Sequence, residues 1–515
     1  MHLKIIKKMK IDILFIHPNA SKKIYQDLSK DHSAIEPPIW AGMLNNACLK
    51  RNFKSEILDC EVLRYDYDKS AETIYEISPR IACFVVYGQQ PSASSQNMEG
   101  AVKISKILKK LNPEIKILFV GGHVAALPFE TLKKENSIDI VACNEGVYSI
   151  LNLLNLPNFK PENLNKVKGI YYRDEDGFIE KNDPEYIVSK KDLEHVLPGV
   201  SWNAMPKLEN YRTAGWHSWS NNTIKQPFAA LYTSLGCPYK CSFCMINIIN
   251  RTDNSKNISS ENSNIFRWWS PDFIIKQFDY FAEQGVKNIK IADELFVLNP
   301  NHFLKICKMI IERKYDFNIW AYSRIDTCKP EYLEILKKAG VNWLGLGIEN
   351  PSNIIRKEVH KDAFRDVKII DFVKMIQDHG INVAANYIFG LPEETMDSMK
   401  FTLDFAIETN SEMANFYSAM AYPGSPLYLD ARRKNIALPD NYSGFSQHSY
   451  EALNLPSKNL SAAEILKFRD YAWNKYHTNK SYLDLINKKF GTVAVKNIIN
   501  TTKIKLKRKI IEQTN

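Results

Sequence analysis

Two separate series of short apolar runs, each alternating with amphipathic stretches, constrain this chain more than any other feature. In the first, strand-like runs fall at Ile11 to His17, Lys54 to Leu58, Ile81 to Tyr87, Ile115 to Val120 and Asp139 to Ala142. Helical stretches separate them near Ile39 to Lys50, Met98 to Leu111 and Val147 to Leu154. Apolar strands that alternate with helices predict a parallel sheet covered on both faces. The second series begins at Phe228, with strands near Ala229 to Thr233, Asn288 to Ala292, Phe317 to Tyr322, Asn342 to Gly347, Asn382 to Ile388 and Glu412 to Met420. Six strand-helix units fit it.

Helix punctuation supports the second series. Ser270 can cap a helix with Pro271 at its first position, Ile274, Phe278 and Phe281 share one face, and Gly285 follows its end. The stretches Pro330 to Lys338 and Asp366 to His379 likewise run into Gly340 and Gly380. The expected fold class is α/β: a doubly wound (Rossmann-like) parallel sheet, then a partial (β/α)6 TIM-type barrel, then a helical C-terminal region. The expected divisions are 10–154 for the first domain, 155–227 for a connector with a hairpin around Asp174 to Gly177, 228–427 for the barrel, and 428–515 for the basic helical end. The polar segment Arg251 to Asn264 reads as a mobile insertion over the barrel mouth.

At 515 residues, 45% hydrophobic and 24% charged, the chain should form two or three globular domains. Its apolar runs are far shorter than the roughly 20 residues that span a bilayer, so no membrane span is expected. Met1 to Lys10 lacks the apolar core and cleavage site of a signal peptide, which points to the cytoplasm. The net charge of +10 is spread over the whole length. The basic run Lys503, Lys505, Lys507, Arg508 and Lys509 is explained by a solvated helix end at least as well as by a nucleic-acid contact, and no nucleic-acid partner is expected.

Three of the nine cysteines are clustered: Cys237, Cys241 and Cys244, in a CxxxCxxC pattern directly after the first barrel strand. An odd, mostly scattered set argues against a disulfide framework. Three thiolates on one loop at the carboxyl end of a barrel strand stand where such barrels do chemistry. Three rather than four would leave one iron of a 4Fe-4S cluster open to an outside ligand. A structural zinc site would need a second short cluster, and none follows Cys244.

This spacing, with Phe243 before the third cysteine, resembles the radical S-adenosylmethionine superfamily over most of residues 228 to 427. The resemblance implies a 4Fe-4S cluster on Cys237, Cys241 and Cys244 and S-adenosylmethionine chelating the open iron. An electron from the cluster then generates a 5′-deoxyadenosyl radical. It also implies that Phe243, Asp293, Glu294, Ser323, Arg324, Glu349, Ile388 and Gly390 contact S-adenosylmethionine. The two acids would receive the methionyl ammonium, Arg324 a carboxylate, Glu349 ribose or ammonium, and Ile388 with Gly390 the adenine. For each polar residue taken singly, a helix cap or surface ion pair accounts for it as well. Ala421 to Tyr428 matches a turn found in one subgroup of the superfamily.

That subgroup carries an N-terminal cobalamin-binding domain, and the first 150 residues resemble it, with Tyr87, Gly88, Gly121, Gly122, His123, Asn144, Glu145 and Gly146 at the carboxyl ends of strands. A DxHxxG motif is absent; His17 ends the first strand without those flanks. The resemblance extends to the anaerobic magnesium-protoporphyrin oxidative cyclase and to cobalamin-dependent radical methyltransferases. The function this resemblance implies is a cobalamin-dependent radical enzyme that methylates an unactivated carbon of a small-molecule or natural-product substrate. Alternatives are a cobalamin-dependent cyclase or rearrangement enzyme, and an iron-sulfur electron-transfer or binding protein. A methylthiotransferase would need three further clustered cysteines, whereas Cys48, Cys60, Cys83 and Cys143 are scattered and read as small buried hydrophobes. The implied partners are a small-molecule substrate and an external flavodoxin- or ferredoxin-like electron donor. Trp202, Trp216, Trp219, Trp268 and Trp269 could line a pocket or pack a domain interface.

Overall fold

The computed structural model describes residues 11–87, 93–253, 258–364 and 367–513. The first domain is built on β1 (Ile13–His17), β2 (Ser55–Asp59), β3 (Ile81–Val85), β4 (Lys116–Val120) and β5 (Ile140–Ala142), parallel throughout and ordered β2-β1-β3-β4-β5. Every residue of β1 and β3 is buried, because helices cover both faces. The order reverses between β1 and β3, so the carboxyl ends of these two strands flank the crevice where open α/β sheets take ligands. A helix not foreseen from the sequence, Tyr67–Ile77, is capped by the Asp66 carboxylate and links β2 to β3.

The stretch 155–227, expected as a connector, contributes more than that. Its hairpin forms β6 (Ile170–Arg173) and β7 (Ile179–Lys181), which extend the first sheet antiparallel to β5. Alternate burial of Ile170 and Tyr172 marks β6 as a strand with one covered face. Four residues are too few for that alternation to stand out in the sequence.

The second series folds as expected. Its strands are β8 (Phe228–Leu231), β11 (Asn288–Ile291), β12 (Asn318–Arg324), β13 (Val341–Glu349), β14 (Asn382–Phe389) and β15 (Met413–Ser418), all parallel and paired in chain order. This is a partial barrel. Between β8 and β11 a short antiparallel ribbon joins β9 (Ser234–Leu235) to β10 (Arg267–Trp268) and pins both ends of the cysteine loop.

The C-terminal region is helical at Pro426–Arg433, Ala462–His477 and Lys480–Thr502, the last broken at Gly491. Ser461 and Glu464 form a capping box on the second of these. Before it, the turn Tyr442–Phe445 packs on the first domain, with the Tyr442 hydroxyl donating to Glu135 at 2.9 Å. Arg508, from the basic run, is buried: it pairs with Asp470 and donates to the carbonyls of Gln447 and Ser449. That residue holds the fold. Among the described residues no helix is long and apolar enough to cross a membrane.

Candidate functional site

The cysteine loop is shaped by its backbone, which leaves the thiols free. Gly236 opens it at φ 85°, where a β-carbon would stand 2.1 Å from the Ile265 carbonyl oxygen. Asn247 braces it from inside, donating to the Cys237 carbonyl at 2.8 Å and accepting the Cys237 N–H at 3.2 Å. Ser260 donates to the Cys244 carbonyl at 2.8 Å. Phe243 packs beside Ile355, Val359, Ile388 and Leu391, which fixes the loop against the far side of the barrel. Burial pushes the Cys237 thiol up to about 12 and the Cys244 thiol well above the ordinary range. Thiolates here therefore call for a cationic partner, and three thiols with no fourth nearby in sequence suit a cluster with one open iron.

The acids at the end of β11 differ in their surroundings. Asp293 accepts from the Thr233 N–H at 2.6 Å, the Thr233 hydroxyl at 2.5 Å and the Ser234 hydroxyl at 2.6 Å, so it ties β11 to the start of the cysteine loop. Burial raises it to about 6 against those bonds. Glu294 makes no hydrogen bond among the described residues; burial and the neighbouring Asp293 charge raise it to about 8, with Lys290 opposing. It lines a small cavity of about 30 Å³ with Trp40, Tyr87 and Tyr232. Of the two, Glu294 is free to meet a ligand.

Ser323 donates to the Arg324 carbonyl at 3.1 Å. The Arg324 guanidinium bonds Asp326 at 2.8 and 3.2 Å, lies 3.7 Å from the centre of the Tyr239 ring, and points Nη1 at Cys241 Sγ, 3.7 Å away. It is thereby held beside the cluster loop. Glu349 has φ 62°, an uncommon conformation for a residue with a side chain, and forms a buried ion pair with Lys361. Nothing in the sequence signalled Lys361, which follows the short helix Asn353–Glu358 after β13. Ile388 is buried in the cluster that holds Phe243, and Gly390 faces Ile465 of the C-terminal region.

A cavity of about 540 Å³ opens between the carboxyl edge of the first sheet and the barrel. His17, Glu36, Trp40 and Tyr87 line it from one side, Tyr232, Lys290, Trp320 and Asn386 from the other, and His448 and Arg469 from the C-terminal region. Trp40 stacks on Tyr87 with centroids 4.5 Å apart, and the buried Tyr87 hydroxyl has no partner. Lys290 pairs with Glu36 at 2.9 Å across the two domains and lies over the Trp320 ring at 4.6 Å. His17, at the end of β1, bonds Asp59 through Nδ1 at 2.9 Å. Burial lowers its pKa, but the carboxylates of Asp59, Glu61 and Glu36 together more than reverse this, leaving it raised.

The residues expected to touch a corrinoid divide. Tyr87 lines the large cavity and Gly122 the small one. Gly88 lies outside the described residues. Gly121, His123, Asn144, Glu145 and Gly146 line neither, because each is engaged in the protein's own packing. Gly121 crosses over the Val86 carbonyl. His123 is enclosed, bonded to Ser95 at 2.9 Å and sealed by Tyr442 and Phe445, and burial lowers its pKa to about 3. Asn144 donates to the Glu185 carbonyl at 2.9 Å and accepts the Gly146 N–H at 3.0 Å. Glu145 forms a buried pair with Arg267 at 2.8 Å. The tryptophans divide too: Trp216 and Trp219 line the cavity, while Trp202 packs on Phe281 and Trp269 donates to the Leu197 carbonyl at 3.0 Å.

Comparison with known proteins identifies two domains. Residues 231–406 match the radical SAM superfamily and residues 32–154 the B12 binding domain. The chain carries a radical SAM domain and a B12-binding domain. It is 26% identical over 356 residues to an uncharacterized methyltransferase of Pyrococcus horikoshii, covering 69% of this chain and 71% of that protein. It is 23% identical over 486 residues to the anaerobic magnesium-protoporphyrin IX monomethyl ester cyclase of Rubrivivax gelatinosus, covering 92% of this chain and 78% of the cyclase. Its fold matches that of the radical S-adenosylmethionine methyltransferase TsrM from Kitasatospora setae, determined with cobalamin and a 4Fe-4S cluster, with a TM-score of 0.67 at 14% identity over 96% of this chain and all of that one.

The two domains imply a 4Fe-4S cluster, S-adenosylmethionine and cobalamin as the cofactors of this radical SAM enzyme. Its residues suit them. The cluster loop offers three thiols engaged in no disulfide, although among the described residues no three His, Cys, Asp or Glu side chains are gathered closely enough to hold a metal ion; Glu294 offers a carboxylate with no partner of its own, and the large cavity sits at the β1/β3 switch point with the unpartnered Tyr87 hydroxyl on its wall.

Proposed function

We propose that this enzyme methylates an unactivated carbon of a small molecule by cobalamin-dependent radical chemistry. When bound, the cluster and S-adenosylmethionine supply a 5′-deoxyadenosyl radical, and cobalamin supplies a transferable methyl group. Cys237, Cys241 and Cys244 hold three irons. Glu294 receives the methionyl ammonium, Arg324 keeps positive charge beside Cys241, and Phe243, Ile388 and Gly390 border the adenine. The pair Glu349 and Lys361 stands beside the ribose. A substrate fits between the aromatic walls of the interdomain cavity, where Trp40, Tyr87, Trp320 and Tyr322 exclude water from a reactive radical. The observation that carries this reading is that cavity, since it places the edge of the B12-binding sheet and the mouth of the radical SAM barrel on one enclosed space. A cytoplasmic location and a low-potential flavodoxin- or ferredoxin-like donor accompany it.

The test is anaerobic reconstitution with iron, sulfide and hydroxocobalamin, followed by reduction with S-adenosylmethionine present. Wild type is expected to retain four irons and a corrinoid and to release 5′-deoxyadenosine, while Cys237→Ala, Cys241→Ala and Cys244→Ala release none. With a methyl acceptor, S-adenosylhomocysteine accumulates alongside 5′-deoxyadenosine. The cyclase relative, which spans nearly the whole chain, supports a second reading, radical cyclisation, in which turnover yields no S-adenosylhomocysteine. Zinc in place of iron would sink both.

A further inference from the structure

We infer that Arg469, Gln447 and His448 form the receiving site for an anionic oxygen group, a carboxylate or a phosphate, on the small molecule that enters the interdomain cavity. The inference rests on the functional reading above and narrows its substrate class to acids.

The site begins with a charge that the protein does not balance. Arg469 and Arg508 share one carboxylate, that of Asp470. Arg508 grips it at two points, Nε to Oδ2 and Nη2 to Oδ1, both at 2.8 Å, and turns Nη1 to the Gln447 and Ser449 carbonyls. Arg469 reaches the same carboxylate only through Nη1, at 2.9 Å, while its Nε donates to the Phe416 carbonyl at 2.7 Å. The two arginine side chains are 7% and 3% exposed, whereas that of Asp470 is 30% exposed. Among the described residues Arg469 has no other ion pair. Two buried cations against one partly exposed anion leave a net positive charge, and a buried charge without a partner is costly. Arg469 lines the cavity, so a ligand there can supply the missing anion.

Two neighbours add donors to it. Gln447 is buried and lines the cavity, and its Oε1 accepts the Ser418 N–H at 3.1 Å. That bond orients the amide and leaves Nε2 with no acceptor among the described residues. His448 Nε2 lies 3.5 Å from Arg469 Nη2. A guanidinium only donates, so Nε2 accepts and the neutral ring carries its proton on Nδ1, which has no acceptor among the described residues. Burial and the charges of Arg469 and Arg508 lower the pKa of His448 well below the ordinary histidine value, so the ring stays neutral. The open groups of these three residues are all donors around one positive charge, which suits a group that only accepts and is negative.

The other cations of the cavity are already engaged. Lys290 pairs with Glu36, and Lys225 donates to the Asp31 carbonyl at 3.1 Å. The carboxylates that line the cavity, Asp31, Glu36 and Glu61, all come from the first domain, so charge directs the acid end of a ligand toward the C-terminal helices. Trp473, one turn beyond Arg469 on the helix Ala462–His477, also lines the cavity and offers a flat apolar surface to the body of the same ligand.

Equilibrium dialysis of the full-length protein, reconstituted with iron, sulfide and hydroxocobalamin, compares β-naphthoate, β-naphthyl phosphate and the neutral β-naphthamide. At least one of the two anions is expected to bind about 10- to 100-fold more tightly than the amide, and the tighter of the two identifies the acid group. Gln447→Glu keeps an acceptor for the Ser418 N–H and places negative charge in the site; it is expected to abolish the preference, as is Arg469→Met. Lys225→Met should retain it. Gln447→Glu gives its answer even if Arg469→Met fails to fold. Equal binding of anions and amide, binding of none of them, a preference that survives Gln447→Glu, or one that is lost in Lys225→Met overturns the inference. A preference present with cobinamide, which lacks the nucleotide phosphate, but absent with hydroxocobalamin assigns the site to the corrinoid's own phosphate and also overturns it. Failure of the functional reading shows as wild type that releases no 5′-deoxyadenosine, whereas normal release with equal binding of acid and amide overturns this inference alone.

Discussion

Glu294 and Asp293 are adjacent in sequence yet face opposite demands. Asp293 has its acceptor capacity filled by Thr233 and Ser234, while Glu294 has no partner and borders the small cavity beside the cluster loop. A charge-assisted hydrogen bond is worth about 1.5–3 kcal/mol. Glu294→Gln is therefore expected to weaken S-adenosylmethionine binding about 10- to 100-fold, measured by equilibrium binding to the reconstituted protein, with iron content unchanged. His217 makes a different prediction. It is buried, with Nδ1 on the Thr213 hydroxyl and Nε2 donating to the Asn318 carbonyl, and burial lowers its pKa from 6.5 to about 3. As pH falls below 6.5 the unfolded chain takes up the proton first, so stability present at neutral pH is lost. At pH 5 this amounts to about 2 kcal/mol. In His217→Gln, the loss of unfolding free energy between pH 7 and pH 5 should be smaller than in wild type by about that amount. An identical loss in both proteins would refute it.

At the scale of elements, the carboxyl ends of β3 and β4 approach each other through Gly121. The Val86 N–H donates to the Val120 carbonyl at 2.8 Å, and a β-carbon on Gly121 would stand 2.2 Å from the Val86 carbonyl oxygen at a backbone φ of 150°. The resemblance to a cobalamin-binding domain counts this glycine among the strand-end positions beside the cofactor; in the structure it packs against the neighbouring strand. Gly121→Ala is expected to cost about 3 kcal/mol of stability through overlap and backbone strain, read as a lower denaturant midpoint. The sites of β1 to β5 and of all six barrel strands were legible in the sequence, because most of them are buried on both faces and read as apolar runs. The hairpin β6 and β7 was visible as a turn, but its place in the first sheet was not: edge pairing depends on which backbone groups remain open after the parallel strands have formed.

Across the whole molecule, buried polar pairs join the first domain to the barrel. Arg267, beside the cysteine loop, pairs with Glu145 at 2.8 Å and donates to Asn250 at 2.8 Å and to the Val188 carbonyl. Both partners are almost wholly buried, so removal of one leaves the other charged without compensation, at a cost of about 3–5 kcal/mol. Arg267→Met is expected to lower the melting temperature and to speed proteolysis between the domains, and the double variant Arg267→Met with Glu145→Gln to recover part of the loss. Full stability in the single variant would show that this pair does not hold the domains.

Sequence alone determined the two α/β series, the cysteine loop at the carboxyl end of the first barrel strand, and the acids and glycines at the later strand ends, because periodicity and short motifs are local properties. In the structure Cys237, Cys241, Cys244 and Phe243 lie on one loop after β8, and Glu294 and Tyr87 line the small cavity beside it. Sequence did not separate Glu294 from Asp293, since that depends on Thr233 and Ser234 arriving from another strand. Nor did it find Lys361 beneath Glu349, Glu36 against Lys290, or the Asp59 and Tyr211 support behind His17, whose partners are 12, 254, 42 and 152 residues apart in their respective bonds. Such contacts arise from the packing of the first sheet, the barrel and the C-terminal helices around one cavity, and no local pattern encodes which side chains that packing brings face to face.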